Sequence, residues 1–394
     1  MAHSPSDRVP HRPLRVGVAG LGAVAQAVHL PLLAGLPETF RIAAICDLSA
    51  TLTAALGDRY RVPADHRFGD ATAMLDAVDL DGLIVLTSGS HGDVAAAALE
   101  RGLPVLCEKP LAATRAEADR LAALEGADHD GEQLMVGYMK LFDPAVEEAV
   151  RVARDPDGAM GALRAVEVTV LHPSSESQLA HAHLLPPPDD IDPATMAQLR
   201  ERSMALERDA LGPAASALGS LYSGILLGSI VHELSVVRAV AGDPVAIDRV
   251  DTWPEGAWPP SVAVEGRLSD GARLSIGWHF LPGYPAYRED VRFHYEHGSV
   301  ELSFPAPYRL HEPTALVVST GRGETRRRVL LDSIEEAFER ELVAFSSMVT
   351  DGVPARSGIA DGRADIVTCQ RMVARLAAQH GIEIGGEAAA AMAS

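Results

Sequence analysis

Short apolar runs alternate with stretches of helical periodicity along the first third of the chain. The apolar runs have the length of buried strands and lie at residues 14–19, 41–46, 82–87, 104–107 and 133–137. Helical patterns follow from Ala23, over residues 93–101 and over residues 114–124. Strands that alternate with helices predict βαβ units and a parallel sheet. Ligands of such a sheet bind beyond the carboxyl ends of its strands.

After Gly137 the pattern changes. A long alternating run at residues 162–172 predicts a strand, residues 173–227 are rich in Pro, Ser, Asp and Ala, and residues 228–241 predict a helix. Further alternating runs predict strands at residues 262–268, 272–280, 290–295, 299–304 and 316–320. Short turns separate these runs, which favours a mostly antiparallel sheet. Two more helices are predicted near residues 333–350 and 362–380.

The composition excludes several classes of function. The chain has 394 residues, of which 47% are hydrophobic and 22% charged, an ordinary balance for a globular protein with a core that needs no disulfides. Its formal net charge of −20 repels phosphate backbones and anionic membranes, so we expect neither as a partner. The basic cluster at residues 326–328 is explained more simply by a solvated strand or turn. We find no apolar run of the roughly 18 residues that span a bilayer.

The cysteines and the polar N-terminus favour a cytoplasmic location. Cys46, Cys107 and Cys369 fit neither a zinc motif nor an even-numbered disulfide framework, so reduced thiols are expected. The first residues lack the apolar region of a signal peptide. His181 and His183 have no cysteine or carboxylate cluster beside them, so no metal site is expected.

A dinucleotide-binding pattern, Gly20-x-Gly22-x-x-Ala25, lies between the first strand and the first helix. Gly20 permits the tight turn, Gly22 lets the backbone approach a pyrophosphate, and Ala25 keeps helix and strand close. The start of the helix, with Ala23 and Val24, offers amide groups and a positive dipole end to phosphate. Because a strand and a helix flank the loop, a glycine-rich turn without a ligand is the weaker interpretation.

The second strand ends at Asp47, which favours NAD over NADP. A carboxylate at this position accepts hydrogen bonds from both adenosine ribose hydroxyls and repels a 2′-phosphate. The next residue is Leu48, and no arginine follows closely that would accept such a phosphate. Asp47 can also serve as the N-cap of the following helix.

Lys109 follows a predicted parallel strand within the segment Cys107-Glu108-Lys109-Pro110. At the edge where ligands bind, this lysine faces the nicotinamide rather than bulk solvent. Its ammonium can hydrogen-bond a substrate oxygen, and burial makes it an easier proton donor. A surface lysine is the default interpretation, but the preceding dinucleotide motif makes Lys109 a candidate catalytic group.

With these motifs the chain resembles the glucose–fructose oxidoreductase / inositol dehydrogenase / rhizopine-catabolism (Gfo/Idh/MocA) family over about residues 14–384. The segments that carry the resemblance are GLGAVA at 20–25, ICD at 45–47, TSGSH at 87–91, CEKPLA at 107–112, GYMKLFDP at 137–144 and AFERELVAF at 337–345. The segment with Thr87, Ser88 and His91 is similar to the family's TPxxxH, with Ser88 in place of Pro. The resemblance places these three residues and Glu108 at the cofactor.

The resemblance implies two domains, a bound nicotinamide cofactor and hydride transfer at a secondary alcohol or ketone. Substrates in the family are mostly sugars, cyclitols or nucleotide-linked sugars. The family's lysine matches Lys109, and its general acid/base histidine matches His232. An imidazole suits this role because its pKa lies near the working pH. Without the family, a packing role for His232 would be preferred.

One position departs from the family pattern. Many members carry an Asp one helical turn before this histidine, on the same face, and here that residue is Gly228. Glu233 is not expected to replace it, because adjacent helical residues point about 100° apart. Either Lys109 and His232 suffice, or a tyrosine contributes, or the protein is not an enzyme.

Four further residues are expected to line the substrate pocket. Met139 and Lys140 follow the crossover between the domains, and His172 ends the first long strand of the second domain. Tyr287 stands where inositol dehydrogenase-like members carry a substrate-side tyrosine. Each has ordinary packing or exposure as its alternative. The segment 173–227 exceeds an ordinary loop, and we expect it to shape the pocket or an oligomer contact.

The sequence thus predicts an α/β fold, with an N-terminal Rossmann dinucleotide-binding domain and a C-terminal α+β domain whose open sheet is mostly antiparallel. The expected boundaries are 1–13 for a flexible N-terminus, 14–138 for the Rossmann domain, 139–384 for the substrate and oligomerisation domain, and 385–394 for a flexible tail. In places the second-domain strands have apolar residues on both alternating sets, which favours a homodimer or homotetramer through that sheet.

The predicted function is NAD-dependent oxidation or reduction of a sugar or cyclitol carbon. One alternative is a non-catalytic member that binds cofactor or sugar, because a shared fold does not establish chemistry. The other is an enzyme resembling biliverdin reductases or amino-acid dehydrogenases.

Overall fold

The computed structural model describes residues 12–128, 132–154, 160–322 and 325–391. Its first part consists of β1 (Leu14–Ala19), α1 (Leu30–Gly35), β2 (Phe40–Cys46), α2 (Ala50–Arg59), β3 (Arg67–Phe68), α3 (Ala71–Ala77), β4 (Gly82–Val85), α4 (Gly92–Leu99), β5 (Val105–Glu108), α5 (Arg115–Asp128) and β6 (Leu134–Gly137). A π-helical turn, Ala25–His29, precedes α1. The strands form a six-stranded parallel sheet in the order β3-β2-β1-β4-β5-β6, the Rossmann arrangement that the sequence predicted.

The second part builds an eight-stranded sheet. Its elements are α6 (Pro144–Ala153), β7 (Leu163–His172), α7 (Ser175–Leu179), α8 (Pro193–Leu211), α9 (Ala215–Ser220), α10 (Val231–Ala241), β8 (Pro244–Trp253), β9 (Ser261–Leu268), β10 (Arg273–Phe280), β11 (Arg288–Tyr295), β12 (Gly298–Phe304), β13 (Ala315–Arg322), β14 (Thr325–Leu331), α11 (Ala337–Asp351), α12 (Ile359–His380) and α13 (Gly386–Ala391). The strand order is β14-β13-β12-β11-β7-β10-β9-β8. Only β7 and β10 pair in parallel, so the sheet is mostly antiparallel, as predicted.

Burial explains why the first sheet is parallel and central. The strands β4, β5 and β6 are buried along their whole length, which is typical of a sheet with helices on both faces. The carboxyl ends of β1, β4 and β5 therefore open on one edge, where the motif residues lie. The predicted boundary at residues 138 and 139 separates the two sheets, but α11 returns to the first domain. Its side chains Phe338, Leu342 and Phe345 pack in the apolar cluster beside β1.

The segment 173–227 is largely helical, which the sequence analysis did not predict. It contains α7, α8 and α9, and a π-helical segment, Leu221–Ile230, joins α9 to α10. Pro193 stands in the first turn of α8, where a missing N–H costs nothing, whereas Pro186, Pro187 and Pro188 lie in the irregular chain before this helix. His232 therefore lies within a continuous helical run that begins before Gly228, the predicted start of this helix.

This run also passes a simple test for membrane spans. Pro193–Ala241 has 49 residues, and its most apolar window has a mean hydropathy of 1.6. By length and composition it could cross a membrane, although we expected no such run. Because 56% of that window is buried inside the protein, and core helices of soluble proteins meet the same criterion, this is weak evidence for a span.

Charged side chains occupy outward positions of the central strands of the second sheet, while exposed apolar residues occur on its edge strands, with Val245 on β8 and Val329 and Leu330 on β14. The outward residues of β7, β9 and β10 include Glu167, Glu265, Arg267 and Arg273, which are exposed, while their inward neighbours are buried. Arg267 and Arg273 both pair with Asp248, at 2.9 and 3.0 Å. The homo-oligomer stays a prediction, because the charged outward residues of these strands do not offer the apolar contact surface on which it was based.

The predicted flexible tail is also partly wrong. Residues 386–391 form α13, in which Ala388 and Ala391 are buried. Glu387 accepts hydrogen bonds from the backbone N–H groups of Arg115 and Ala116, at 2.7 and 2.9 Å, and so ties the helix to the start of α5. Residues 392–394, and residues 1–11 of the predicted flexible N-terminus, lie outside the described residues.

Candidate active site

A cleft with about 1500 Å³ of space lies between the two sheets at the carboxyl edge of the parallel one. It brings together most of the residues predicted for the site: Val24, Thr87, His91, Glu108, Lys109, Met139, His172, His232 and Tyr287. Lys140 lines an adjoining pocket that shares Met139, His232 and Tyr287. Their contacts with a ligand stay predictions, but elements distant in sequence place them around one space.

The turn after β1 has the geometry of a dinucleotide loop. Gly20 has a φ of +97°, and a Cβ there would lie 2.6 Å from the backbone carbonyl of Leu86. A Cβ on Gly22, in contrast, would meet no protein atom within 4 Å, so the backbone borders open space. Ala25 is fully buried against the sheet. Only glycine fits at the first position, and the second leaves room for a close ligand.

Asp47 shapes this loop with both carboxylate oxygens. Its Oδ2 accepts the N–H of Leu21 at 2.8 Å, and its Oδ1 accepts the N–H of Ser49 at 2.9 Å. Asp47 is not the N-cap of α2, which the sequence allowed, because the Ser49 hydroxyl accepts the N–H of Leu52. Each oxygen of Asp47 retains a lone pair, so the carboxylate can still accept ribose hydroxyls. Leu48 is exposed beside it.

The loop after β4 is held by His91. Its two ring nitrogens lie 2.7 Å from the Thr87 carbonyl and 2.6 Å from the Pro110 carbonyl, which links the ends of β4 and β5. Burial lowers the pKa of His91, so the neutral imidazole has one N–H and donates to one of these two carbonyls at a time, which supports the loop. Thr87 Oγ1 is buried without a partner among the described residues, so its hydroxyl is available for a hydrogen bond to a ligand in the cleft. Ser88 is exposed on the loop.

Lys109 reaches across the cleft to the second domain. Its Nζ donates to the carbonyl oxygen of Gly228 at 2.5 Å. Burial lowers the pKa of Lys109, although the charges of Glu108 and Glu233 act in the opposite direction. An ammonium with a lowered pKa and two unused donor positions can bind a substrate oxygen and exchange a proton with it.

Glu108 is tied to a buried polar cluster beneath this lysine. Its Oε1 lies 3.0 Å from His29 Nε2, and its Oε2 accepts the N–H of Lys109 at 3.1 Å. Burial acts to raise the pKa of Glu108, but the hydrogen bond and charge of His29, together with the charges of Lys109 and His91, outweigh burial and lower that pKa. On α11, Glu341 is buried without a partner among the described residues, and burial raises its pKa well above the usual range. Glu108 thus positions the backbone of Lys109.

His232 faces Lys109 from the opposite wall. Burial, with the nearby positive charges of Lys109 and Lys140, lowers its pKa well below the ordinary value. The imidazole is therefore neutral at physiological pH, the state in which it can accept a proton. Its Nδ1 is buried and has no hydrogen-bond partner in the described part of the chain.

Lys140 is the centre of a buried ionic cluster that the sequence did not predict. Its Nζ pairs with Glu289 and lies 3.2 Å from Glu233 Oε1, and the Tyr287 hydroxyl donates to Glu289 at 2.6 Å. Burial acts to lower the pKa of Lys140, but the two carboxylates outweigh it and raise it. Burial, reinforced by the charge of Glu289, raises the pKa of Glu233 to about 8. Glu233 therefore carries a proton near neutral pH, and Lys140 balances Glu289.

An aromatic wall closes the cleft on the side of the second sheet. The ring of His172 lies 5.1 Å from Trp278 and 5.8 Å from Tyr287, and Trp278 stacks on Phe280 with centroids 6.3 Å apart. Trp258 stands at the rim and is 59% exposed. Such faces suit the C–H surface of a ring-shaped substrate.

The residues present fit a nicotinamide dinucleotide. The glycine loop is open at Gly22, Asp47 has lone pairs at the ribose position, and the buried hydroxyl of Thr87 lacks a partner. No group of three or more His, Cys, Asp or Glu residues suited to a metal ion occurs in the described ranges. His181 instead bonds the carbonyl of Tyr308 at 3.0 Å.

Together these features define the class: a Rossmann-type dinucleotide-binding domain whose ligand edge faces a second, open-sheet domain across a cleft. Residues 14–138 match the model of the GFO_IDH_MocA family, described as an oxidoreductase family with an NAD-binding Rossmann fold. This match supports the family that the motifs indicated, for the dinucleotide-binding domain that the family model covers.

Relatives support this assignment at two levels. The inositol 2-dehydrogenase of Salmonella paratyphi B is 32% identical over 132 residues, which are 33% of this chain and only 38% of that protein. The inositol 2-dehydrogenase of Leifsonia xyli is 26% identical over 353 residues, 86% of both chains. The 3-ketoreductase KijD10 of Actinomadura kijaniata, solved with NADP, superposes with a TM-score of 0.67 at 19% identity, over 94% of this chain and 98% of that chain. This last likeness concerns the fold.

Proposed function

We propose that this protein is an NAD(H)-dependent oxidoreductase that transfers a hydride between nicotinamide and a secondary hydroxyl or keto carbon of a sugar, cyclitol or related molecule. One observation carries the proposal: Lys109 and His232, from different domains, meet in one cleft beside the dinucleotide loop, with pKa values that are both lowered. Groups with opposed tasks and tuned protonation are typical of acid–base catalysis.

The two side chains have complementary roles in this proposal. Nicotinamide, when bound, accepts or donates the hydride. In the oxidative direction the Lys109 ammonium binds the substrate oxygen, and the neutral imidazole of His232 takes the hydroxyl proton as the carbon loses its hydride. The reverse direction returns that proton from the imidazolium to the oxygen. Lys140 and Tyr287, on the adjoining wall, would hold neighbouring hydroxyl groups.

A ring-shaped polyol fits both the polar and the apolar walls. The stacked Trp278 and Phe280 offer a flat apolar surface, while Lys109 and His232 offer polar groups on the other side. Sugars and cyclitols have one face rich in C–H groups and a rim of hydroxyls. The inositol dehydrogenases among the relatives act within the same chemical class.

The test is a single-turnover assay. Purified protein is mixed with one equivalent of NAD⁺, and sugars, cyclitols and nucleotide sugars are screened for the absorbance of reduced nicotinamide. Wild type is compared with Lys109→Ala, which should bind NAD⁺ within a few-fold of wild type but give no signal. A signal of equal rate from Lys109→Ala would remove this lysine from the mechanism.

Gly228 motivates a second candidate, a non-catalytic member that binds cofactor or sugar. In this chain Lys109 donates a hydrogen bond to the backbone carbonyl of Gly228, at the position where many members of the resembling family carry an Asp carboxylate. Binding of NAD⁺ and of a sugar by calorimetry, without any hydride transfer across the panel, would favour this candidate over the enzyme.

A further inference from the structure

The chain that follows β7 crosses from the second domain onto the dinucleotide-binding half. Within it, the backbone N–H of Leu185 donates to Gln26 Oε1 at 2.9 Å. The amide nitrogen of Gln26 in turn donates to the carbonyl of Leu21, at 2.9 Å, within the dinucleotide loop itself. The crossing segment is thus attached beside the loop that would hold a pyrophosphate.

A few residues further on, the segment reaches the other end of the groove. Asp190 Oδ1 accepts the hydroxyl of Ser49 at 2.6 Å, and Asp190 Oδ2 accepts the backbone N–H of Thr51 at 2.8 Å. These two donors belong to the first turn of α2. The hydrogen bonds from Ser49 and Thr51 lower the pKa of Asp190 to about 2, so the side chain is an anion at any working pH.

Ser49 connects this carboxylate with the one predicted to read the ribose. Its backbone N–H donates to Asp47, and its hydroxyl donates to Asp190. Asp47 therefore stands on one side of Ser49 and Asp190 on the other, from different domains. The end of the second strand and the start of the next helix form the place where Rossmann proteins distinguish a ribose hydroxyl from a 2′-phosphate. In this chain two carboxylates flank that place.

We propose that Asp190 is a specificity residue for the adenosine ribose, whose carboxylate occupies the anion position at the start of α2 and so excludes the 2′-phosphate of NADP. The inference rests on the proposed function, since it requires a dinucleotide in this groove. It gives the segment between β7 and α8 a definite role. Cofactor choice would depend on the second domain as well as on Asp47.

Two features of the contact support this role over a merely structural one. Asp190 is exposed, and Leu185 already anchors the segment by packing against the apolar cluster beside β1, so the carboxylate is not needed to hold the segment in place. A phosphate at the same donors would meet a negative charge at hydrogen-bonding distance, where like-charge repulsion near a protein surface is large. The 2′-hydroxyl of NAD is neutral and can donate to a carboxylate instead.

The test measures binding and needs no substrate. Dissociation constants of NAD⁺, NADP⁺, 5′-ADP and 2′,5′-ADP are determined by calorimetry for wild type, Asp190→Asn and Asp190→Ala. The matched control is Asp189→Asn, which removes the same charge from the neighbouring exposed position. We expect wild type to prefer NAD⁺, and both Asp190 variants to shift the NADP⁺/NAD⁺ affinity ratio toward NADP⁺ by about tenfold or more, from loss of one close like-charge repulsion. The control should shift it less than threefold, through general charge alone.

The same shift should appear for 2′,5′-ADP against 5′-ADP, which isolates the 2′-phosphate from the nicotinamide end. An unchanged ratio in both Asp190 variants, with normal NAD⁺ affinity, overturns the inference and leaves the proposed function intact. Equal shifts in Asp190→Asn and Asp189→Asn also overturn it, because the effect would then be long-range charge. If wild type binds neither dinucleotide, the proposed function falls and this inference with it.

Discussion

Replacement of Lys140 by methionine tests the interpretation of the buried ionic cluster. Lys140 is 7% exposed, and Glu233 and Glu289 on either side are each 1% exposed. Methionine has a similar length and fills the space, so packing changes little. What the substitution removes is the positive charge that balances Glu289. Loss of one partner from a buried ion pair costs about 3–5 kcal/mol of unfolding free energy, because the remaining charge stays uncompensated.

The loss should depend on pH. At pH 8 few protons are available to the carboxylates that remain in Lys140→Met, Glu233 and Glu289. The full loss of about 3–5 kcal/mol of unfolding free energy is therefore expected. At pH 5.5 protons neutralise the carboxylates more readily, so the difference between variant and wild type should be smaller. Urea unfolding followed by circular dichroism, at both pH values, measures the two free energies.

Two further variants complete the experiment. Arg326→Met removes a positive charge from the exposed edge strand β14 and should change the unfolding free energy by less than about 0.5 kcal/mol. Lys140→Met combined with Glu289→Leu removes both partners and should recover part of the loss, since no charge is left behind. If the free energy of unfolding of Lys140→Met lies within about 1 kcal/mol of the wild-type value at pH 8, Lys140 and Glu289 do not form the buried ion pair inferred from the structure.

Three other outcomes are expected. Lys109→Ala should abolish turnover while the NAD⁺ dissociation constant, measured by calorimetry, stays within a few-fold of wild type. Folded Glu233, with a pKa of about 8, holds its proton more tightly than the unfolded chain does, so its contribution to stability is complete at acid pH and is lost as the pH rises toward 8. Glu233→Gln should therefore flatten the decline of stability between pH 5 and pH 8 in denaturant titrations. Trp258→Ala should raise the KM for a ring-shaped substrate by roughly three- to tenfold, about the value of one aromatic contact, with kcat and NAD⁺ affinity little changed.

The parallel half of the molecule was predictable because its strands are buried on both faces. Continuous apolar runs and glycine turns are typical of such strands. The observed ends lie within two residues of the predicted ends for five strands, β1, β2, β4, β5 and β6. The short strand β3 was missed since its two residues, Arg67 and Phe68, carry no periodicity.

The second domain was predicted less completely, for two physical reasons. In β8 the register shifts twice against its neighbour, which interrupts the alternation that a sequence shows. The edge strand β14 is exposed almost throughout, so neither face selects apolar residues. The helices of residues 193–220 were masked by prolines that stand in first turns, where they favour a helix.

The candidate site shows the same division. Lys109 was found from its motif and His232 from the family resemblance. Glu289 could have been added because it lies two residues from Tyr287, on the same side of an extended chain. The pairing of Lys140 with Glu233 depends on how α10 packs against the crossover that follows β6, and these two segments are distant in sequence. The contact of Asp190 with Ser49 spans the two domains. No local pattern encodes either contact.

The glycine at position 228 changes the charges around the proposed catalytic pair, Lys109 and His232. An Asp there would place a carboxylate beside Lys109 and His232 and would raise the pKa of both. The Gly228 carbonyl holds the Lys109 ammonium by a hydrogen bond but carries no net charge, so burial lowers both pKa values with less opposition. His232 is then a neutral base and Lys109 a stronger acid than an ordinary lysine. The π-helical segment that contains Gly228 brings this carbonyl into reach, because widened turns displace backbone groups from regular α-helical positions. Glycine in place of Asp at position 228 therefore indicates changed pKa values of Lys109 and His232. It is weak support for the candidate function without catalysis.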